Sequence, residues 1–177
     1  MMKRRWLVVA VGALVLLGLY IFRTYPRHVA ITLHGVQYQV GSHTRLKTVT
    51  LRLNGTRDRS LFGPETFDGT VDISGASIPD RLNGRFLHVV FASGMPGLLT
   101  GSVWSHPQLY YYGELFPNKS FTEFTVTEWQ QEGHGSGWNG SNGLVISAPA
   151  KTRTQALRIS NELMTAWSAL LPGHPLK

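Results

Sequence analysis

The stretch Val29-Ala30-Ile31-Thr32-Leu33-His34-Gly35-Val36-Gln37-Tyr38-Gln39-Val40 decides how the chain folds. Val29, Ile31 and Leu33 alternate with Ala30 and Thr32, and after His34-Gly35 the pattern resumes as Val36, Tyr38 and Val40 against Gln37 and Gln39. Alternation with period two is the mark of a strand covered on one face. The interruption predicts two strands joined by a two-residue turn at His34-Gly35, ended by Gly41-Ser42-His43.

Downstream the chain stays strand-like. Val49, Leu51 and Leu53 alternate with Thr48, Thr50 and Arg52, and Asn54-Gly55 reads as the closing turn. A loop follows, then a strand with Val71 and Ile73 inward. Phe86 to Phe91, FLHVVF, is apolar on both faces and predicts a central, covered strand with His88 as a core histidine. Gly94-Met95-Pro96-Gly97 reads as a turn, and Gly101 to Trp104, Leu109 to Phe116 and Phe121 to Trp129 have strand composition. The run Gln131 to Gly143 is glycine-rich without an apolar pattern and predicts a flexible loop, before a short buried strand from Leu144 to Ser147.

One soluble helix is expected over 152–171. Thr152 and Gln155 have capping-box spacing, and Ala156, Ile159, Leu163, Ala166 and Leu170 form a stripe, with Leu157 and Trp167 beside it, before Pro172-Gly173 stops it. Many strands followed by one helix predict a mainly β, α+β domain: an antiparallel sheet folded into a sandwich or half-barrel with the C-terminal helix packed on it.

Upstream lies Trp6 to Phe22, WLVVAVGALVLLGLYIF, seventeen residues without a charge, preceded by Lys3, Arg4 and Arg5. As a helix it covers about 25 Å, near the short end of what crosses a ~30 Å hydrocarbon core. Trp6, Tyr20 and Tyr25 are ring types suited to the headgroup level. Large residues stand where a cleavable signal needs small ones, so a retained single N-terminal transmembrane helix is expected. The excess of basic residues before the span keeps the amino end cytoplasmic. The predicted layout is a cytoplasmic basic flank 1–5, an anchor 6–23, a linker 24–28 and an extracytoplasmic β-rich domain 29–177 on the cell membrane.

The formal charge of +7 is unevenly placed: residues 1–22 carry +3, residues 23–59 carry +6 and residues 60–177 carry −2. A basic region beside a membrane span suits anionic lipid headgroups or a cell-wall polymer and argues against nucleic acid. Its residues are Arg23, Arg27, Arg45, Lys47 and Arg52, with the competing reading that Arg45, Lys47, Arg52, Arg57 and Arg59 are the solvated face of strands and turns.

Chemistry is quiet. The chain has no cysteine, which excludes thiol chemistry. Its histidines show no zinc-binding spacing, and no serine-nucleophile or phosphate-loop motif occurs. No metal and no cofactor is expected. The acid pairs Asp68/Asp72 and Glu123/Glu128 are candidates for hydrolysis only if folding brings them together. Tyr110, Tyr112, His134 and Trp138 are candidates for a ligand or partner surface, within an aromatic set that also holds Tyr111, Trp104 and Trp129. Asn54, Asn118 and Asn139 begin glycosylation-type triplets.

The segments Ser60 to Ile73, Tyr111 to Val126 and Asn142 to Met164 resemble a family of small membrane-anchored or exported bacterial proteins of uncharacterised function. That resemblance implies placement outside the membrane and carries over no assigned activity, cofactor or catalytic residue. The expected function is therefore a single-pass anchored binding or envelope-associated protein, without a catalytic motif. The alternatives are an envelope hydrolase using His106 or His134 with carboxylates, and a subunit of a membrane assembly that contacts another membrane protein.

Overall fold

The computed structural model describes the chain except residues 1, 45, 61–62, 77–82, 93–94, 104–105, 133–134 and 166–174, and describes only the backbone of residues 2–5, 7–10, 102–103, 106–109, 131–132 and 135–136. Its elements are α1 (Met2–Thr24), β1 (Arg27–Gln39), β2 (Leu46–Arg59), β3 (Glu65–Ser74), β4 (Phe86–Phe91), β5 (Gly97–Val103), β6 (His106–Pro117), β7 (Phe124–Glu128), β8 (Gln130–Glu132), β9 (Gly135–Gly137), β10 (Leu144–Ala148) and α2 (Arg153–Leu163).

No turn forms at His34-Gly35. β1 runs straight through it and pairs with β2 from Arg27↔Arg57 to Tyr38↔Leu46. The change of phase in the sequence has another cause: the covered face changes. Val29, Ile31 and Leu33 pack toward the main core, whereas Val36, Tyr38 and Val40 belong to a second core beneath α2. Gly35 stands where β10 closes in on β1, and a Cβ there would meet the Ser147 carbonyl oxygen at 2.5 Å. Its φ is not positive, so close approach is what requires glycine.

Asn54-Gly55 is likewise inside a strand. Gly55 pairs directly with Gly69 of β3, and a Cβ on Gly55 would lie 2.7 Å from the Gly69 Cα. Paired glycines let the two long strands approach closely at this point.

The sheet has eight antiparallel strands in the order β4-β3-β2-β1-β10-β7-β6-β5. It is one sheet curled into a nearly closed barrel rather than a two-sheet sandwich, and β4 and β5 come side by side at the seam without a hydrogen-bonded ladder. Inward residues fill the barrel: Val49, Leu51 and Leu53 of β2, Phe67 and Val71 of β3, Leu115 of β6, Phe124 and Val126 of β7. Each fully buried side chain of this kind contributes about 1.5–3 kcal/mol.

β4 is an edge strand of this sheet, not a central one. Leu87, Val89 and Phe91 face the core, while Phe86 is 73% exposed and His88 is a surface residue paired with Asp68 at 2.6 Å. Two apolar faces in the sequence thus reflect one core face and one uncovered apolar face. The glycine-rich segment contains a small ribbon, β8 with β9.

α2 covers the outer face of β1, β10 and β7. The Thr152 hydroxyl accepts from the Gln155 N–H at 3.3 Å, the N-cap that the spacing predicts, and the Gln155 side chain reaches one residue beyond the N-cap to accept from the Lys151 N–H at 2.9 Å. Ala156 and Ile159 are buried and Leu157 and Leu163 pack beside them. Beneath the helix, hydroxyls form a chain: Tyr38 donates to Ser160 at 2.7 Å, Ser147 lies 2.6 Å from Ser160, and Thr125 lies 3.1 Å from Ser147. Burial pushes the Tyr38 phenol up to about 12, with the Ser160 bond opposing the shift. The remainder of the expected helix to residue 171, with Ala166, Trp167 and Leu170, lies outside the described residues.

α1 ends two residues before β1. Among the described residues no helix is long and apolar enough to cross a membrane. The side chains of residues 7–10, inside the uncharged run, lie outside the described set. From Val11 to Phe22 every side chain of α1 is exposed.

Candidate functional site

β2 carries its alternation beyond the apolar residues. Val49, Leu51, Leu53 and Gly55 face inward, and the next inward position is Arg57. Its side chain is 6% exposed, and a buried cation is costly unless fully partnered. Three partners meet that need. The Nε donates to Glu65 of β3, Nη2 donates to the Lys119 carbonyl at 3.0 Å, and the guanidinium lies 4.0 Å from the centroid of the Phe121 ring. Arg59, two residues on, also donates to the Lys119 carbonyl, at 2.5 Å, and has Nε 3.9 Å from the other Glu65 oxygen.

Phe121 is positioned by the β6–β7 turn. Its N–H donates to the Asn118 carbonyl at 3.0 Å, the Asn118 side chain accepts from the Thr122 N–H at 2.8 Å, and φ at Phe121 is 58°. A bulky residue in the left-handed region carries strain of about 1–3 kcal/mol, which the surroundings must impose. Here they do so by seating the ring edge-on against Phe91 (5.7 Å) and Phe124 (5.5 Å). The ring thereby plugs the barrel just below the two arginines.

Above that plug opens a cavity of about 690 Å³, within the range of small-molecule sites. Its cationic wall is Arg23, Arg57, Arg59 and Lys119, with Glu65 as the one carboxylate among the described residues; its apolar wall includes Phe91, Met95, Pro96, Phe121 and Leu163. Arg23 comes from the last turn of α1. Burial, followed by the neighbouring charge of Arg57, lowers the pKa of Arg59; Glu65 opposes the shift, and Arg27 and Arg23 add to it. The mouth is thus a region of surplus positive potential.

The expected basic residues divide by position. Arg23 and Arg27 lie at this end, since Arg27 pairs with Arg57 and its guanidinium sits 5.2 Å over the Phe22 ring. Lys47 lies at the opposite end of β2, opposite Gln37, about 33 Å along the strand from Arg57 at ~3.3 Å per residue. Arg52 is exposed on the outer face between Thr32 and Asp72. Arg45 lies outside the described residues.

The aromatic candidates are not gathered on one face. Tyr112 is buried in the barrel core with Tyr110 half-buried against it, whereas Trp138 packs on the second core and donates its indole N–H to the Leu144 carbonyl at 3.0 Å. Tyr111, of opposite phase, stacks on Trp129 at 5.7 Å. His134 and the side chain of His106 lie outside the described residues.

The acid pairs stay apart. Asp68 holds His88, and Asp72 accepts from the Gly84 N–H at 2.5 Å. Glu123 faces Arg158 at 3.7 Å, while Glu128 is 2% exposed near the Lys47 end, where Gln37 donates to it. Burial pushes the Glu128 carboxyl up to about 7, against the opposing effects of the Gln37 bond and the Lys47 charge. Glu114 is also raised by burial, with hydrogen bonds from Thr127 and Trp129 opposing. Among the described residues no three acidic or histidine side chains gather as a metal site.

Spacing in the sequence does not mark Arg57, Arg59, Glu65, Lys119 and Phe121 as a site. One signal was present: Arg57 occupies the inward phase of Val49, Leu51 and Leu53. No protein-family model matches the chain, and neither a curated protein nor a solved structure matches it significantly.

Proposed function

We propose that this protein is a single-pass, membrane-anchored extracytoplasmic binding module whose binding site is the arginine-lined barrel mouth. One observation carries the reading: the last turn of the uncharged helix and the open end of the barrel line the same cavity. Support for the anchor comes from the seventeen uncharged residues 6–22 and from the exposed apolar side chains around α1, which no other described residue covers. The basic residues before the span favour a cytoplasmic amino end. The resemblance to small anchored or exported bacterial proteins points the same way.

Protease accessibility of cells and inverted vesicles tests the topology. The β domain should be digested from outside intact spheroplasts and should stay with membranes through an alkaline carbonate wash. Release by carbonate, or protection from external protease, would overturn the anchor.

A second reading, a subunit of a membrane assembly, draws on the exposed apolar side chains Phe86, Val90 and Leu98 of the neighbouring strands β4 and β5. Co-purification from detergent extracts separates the two, since a lone binding module brings down no stoichiometric partner.

A further inference from the structure

We infer that the barrel mouth takes the phosphate-bearing headgroup of an anionic lipid, with the first carbons of the lipid lying against the apolar wall. The inference rests on the proposed anchor and on the mouth as its binding site.

Charge sets the ligand's sign. Four cations share one carboxylate, Glu65, which Arg57 and Arg59 already hold. Among the described residues Arg23 and Lys119 have no carboxylate within ion-pair distance. An anion entering the cavity meets this surplus with few competing negative groups. Planar guanidinium forks match the paired oxygens of a phosphate ester and donate charge-assisted bonds.

Preorganisation comes next. Arg57 is stacked on Phe121, and both arginines are fixed by the Lys119 carbonyl and by Glu65. Their side-chain entropy is already spent when the ligand arrives, which leaves more of the contact energy for affinity.

The apolar wall separates an amphiphile from a hydrophilic anion. Phe91, Met95, Pro96, Phe121 and Leu163 line the same cavity as the arginines, and Met95 is 53% exposed. Inorganic phosphate or a polyol phosphate would leave that wall facing water. The glycerol-ester carbons of a lipid would cover it.

Location supplies the source. Only Tyr25 and Pro26 separate α1 from β1, so the mouth stands within about 10 Å of the point where the helix leaves the bilayer, given ~3.4 Å of reach per residue. A lipid headgroup is then already at the mouth.

The test uses the full chain in a neutral maltoside detergent, with dihexanoyl-phosphatidylglycerol, dihexanoyl-phosphatidylcholine, sn-glycerol 3-phosphate and inorganic phosphate as probes in calorimetric titrations. Phosphatidylglycerol should bind at least about tenfold more tightly than the other three, a factor of ten being one charge-assisted bond. Arg59→Gln and Arg23→Gln should each weaken it by about tenfold, and Arg52→Gln, on the outer face, should leave it unchanged. Arg23, on α1, keeps the test informative should Arg59→Gln impair folding.

Equal affinity for glycerol 3-phosphate and the anionic lipid would overturn the lipid as source. Equal affinity for the two lipids, insensitive to Arg23 and Arg59, would overturn headgroup recognition, as would no binding at all. Each of these results leaves the protease-accessibility outcome standing, so failure of the ligand is distinguishable from failure of the anchor.

Discussion

The guanidinium of Arg57 lies 4.0 Å from the centroid of the Phe121 ring, and the two residues come from strand β2 and from the β6–β7 turn, on the far side of the sheet order. This stack joins the bottom of the cavity to the top of the core. A desolvated cation over an aromatic face contributes up to about 2 kcal/mol, and here it is reinforced by Glu65 and the Lys119 carbonyl.

Removing Arg57 alone should therefore be costly. Arg57→Met leaves the part-buried Glu65 with Arg59 as its remaining cation at 3.9 Å, and leaving such an acceptor short of its main donor costs about 1–3 kcal/mol. The double variant Arg57→Met/Glu65→Gln should recover most of that loss, because no uncompensated charge remains. Urea unfolding of the full chain in detergent reads both; a double variant no more stable than the single would show that the pairing is not the source.

At Phe121 the usual order of small substitutions should invert. Phe121→Ala loses a buried aromatic at about 3–5 kcal/mol while keeping the left-handed φ of 58°. Phe121→Gly loses the same ring but adopts that φ without strain, so it should be more stable than the alanine variant by roughly 1 kcal/mol. Thermal melts of the pair decide it, and an alanine variant that melts higher would refute the strain assigned to this turn.

Gly35 and Gly18 should respond oppositely to alanine. A Cβ at Gly35 meets the Ser147 carbonyl oxygen at 2.5 Å and the Ala148 Cβ at 2.8 Å, so Gly35→Ala should push β1 and β10 apart and destabilise by about 1–3 kcal/mol. Nothing lies within 4 Å of a Cβ at Gly18, and alanine there should be neutral or favour the helix by up to about 1 kcal/mol. Equal effects at both positions would contradict the close approach at Gly35.

Glu128 predicts a pH dependence with a definite sign. Its carboxyl is raised from an ordinary 4.5 to about 7 by burial, so the folded state holds the proton more tightly than the unfolded state does. The group's contribution is full below about pH 4.5, falls as pH rises toward 7, and is constant above, a change of roughly 3 kcal/mol at most. Glu128→Gln should match the parent near pH 4 and exceed it at pH 8. Parallel stability curves for the two proteins across that range would refute the shift.

Much of the architecture was legible in the residues because it is local. The Thr152/Gln155 cap, the α2 stripe through Ala156 and Ile159, and the inward set Val49, Leu51 and Leu53 all follow from periodicity and short-range hydrogen bonding, and the structure has them where the pattern puts them. The segment from Val29 to Val40 shows where that legibility stops. An apolar set that changes phase is read equally well as a turn or as one strand whose cover changes sides, and only α2, arriving more than a hundred residues later, decides between them. FLHVVF is the same case in reverse: its second apolar face does not report a central strand, because β4 ends the sheet order.

The sequence by itself determined the β-then-helix order, the uncharged helix with basic residues before it, and the concentration of positive charge between Arg23 and Arg59. Which of those charges act together was decided by tertiary structure alone. Antiparallel pairing carries Lys47 to one end of the barrel and Arg57 to the other, beside Arg27 and the end of α1. The β6–β7 turn then brings Lys119 and Phe121 to the same end from sixty residues away. Charge and periodicity are written residue by residue, but a site made of groups distant along the chain exists only after strand register has set which ends meet.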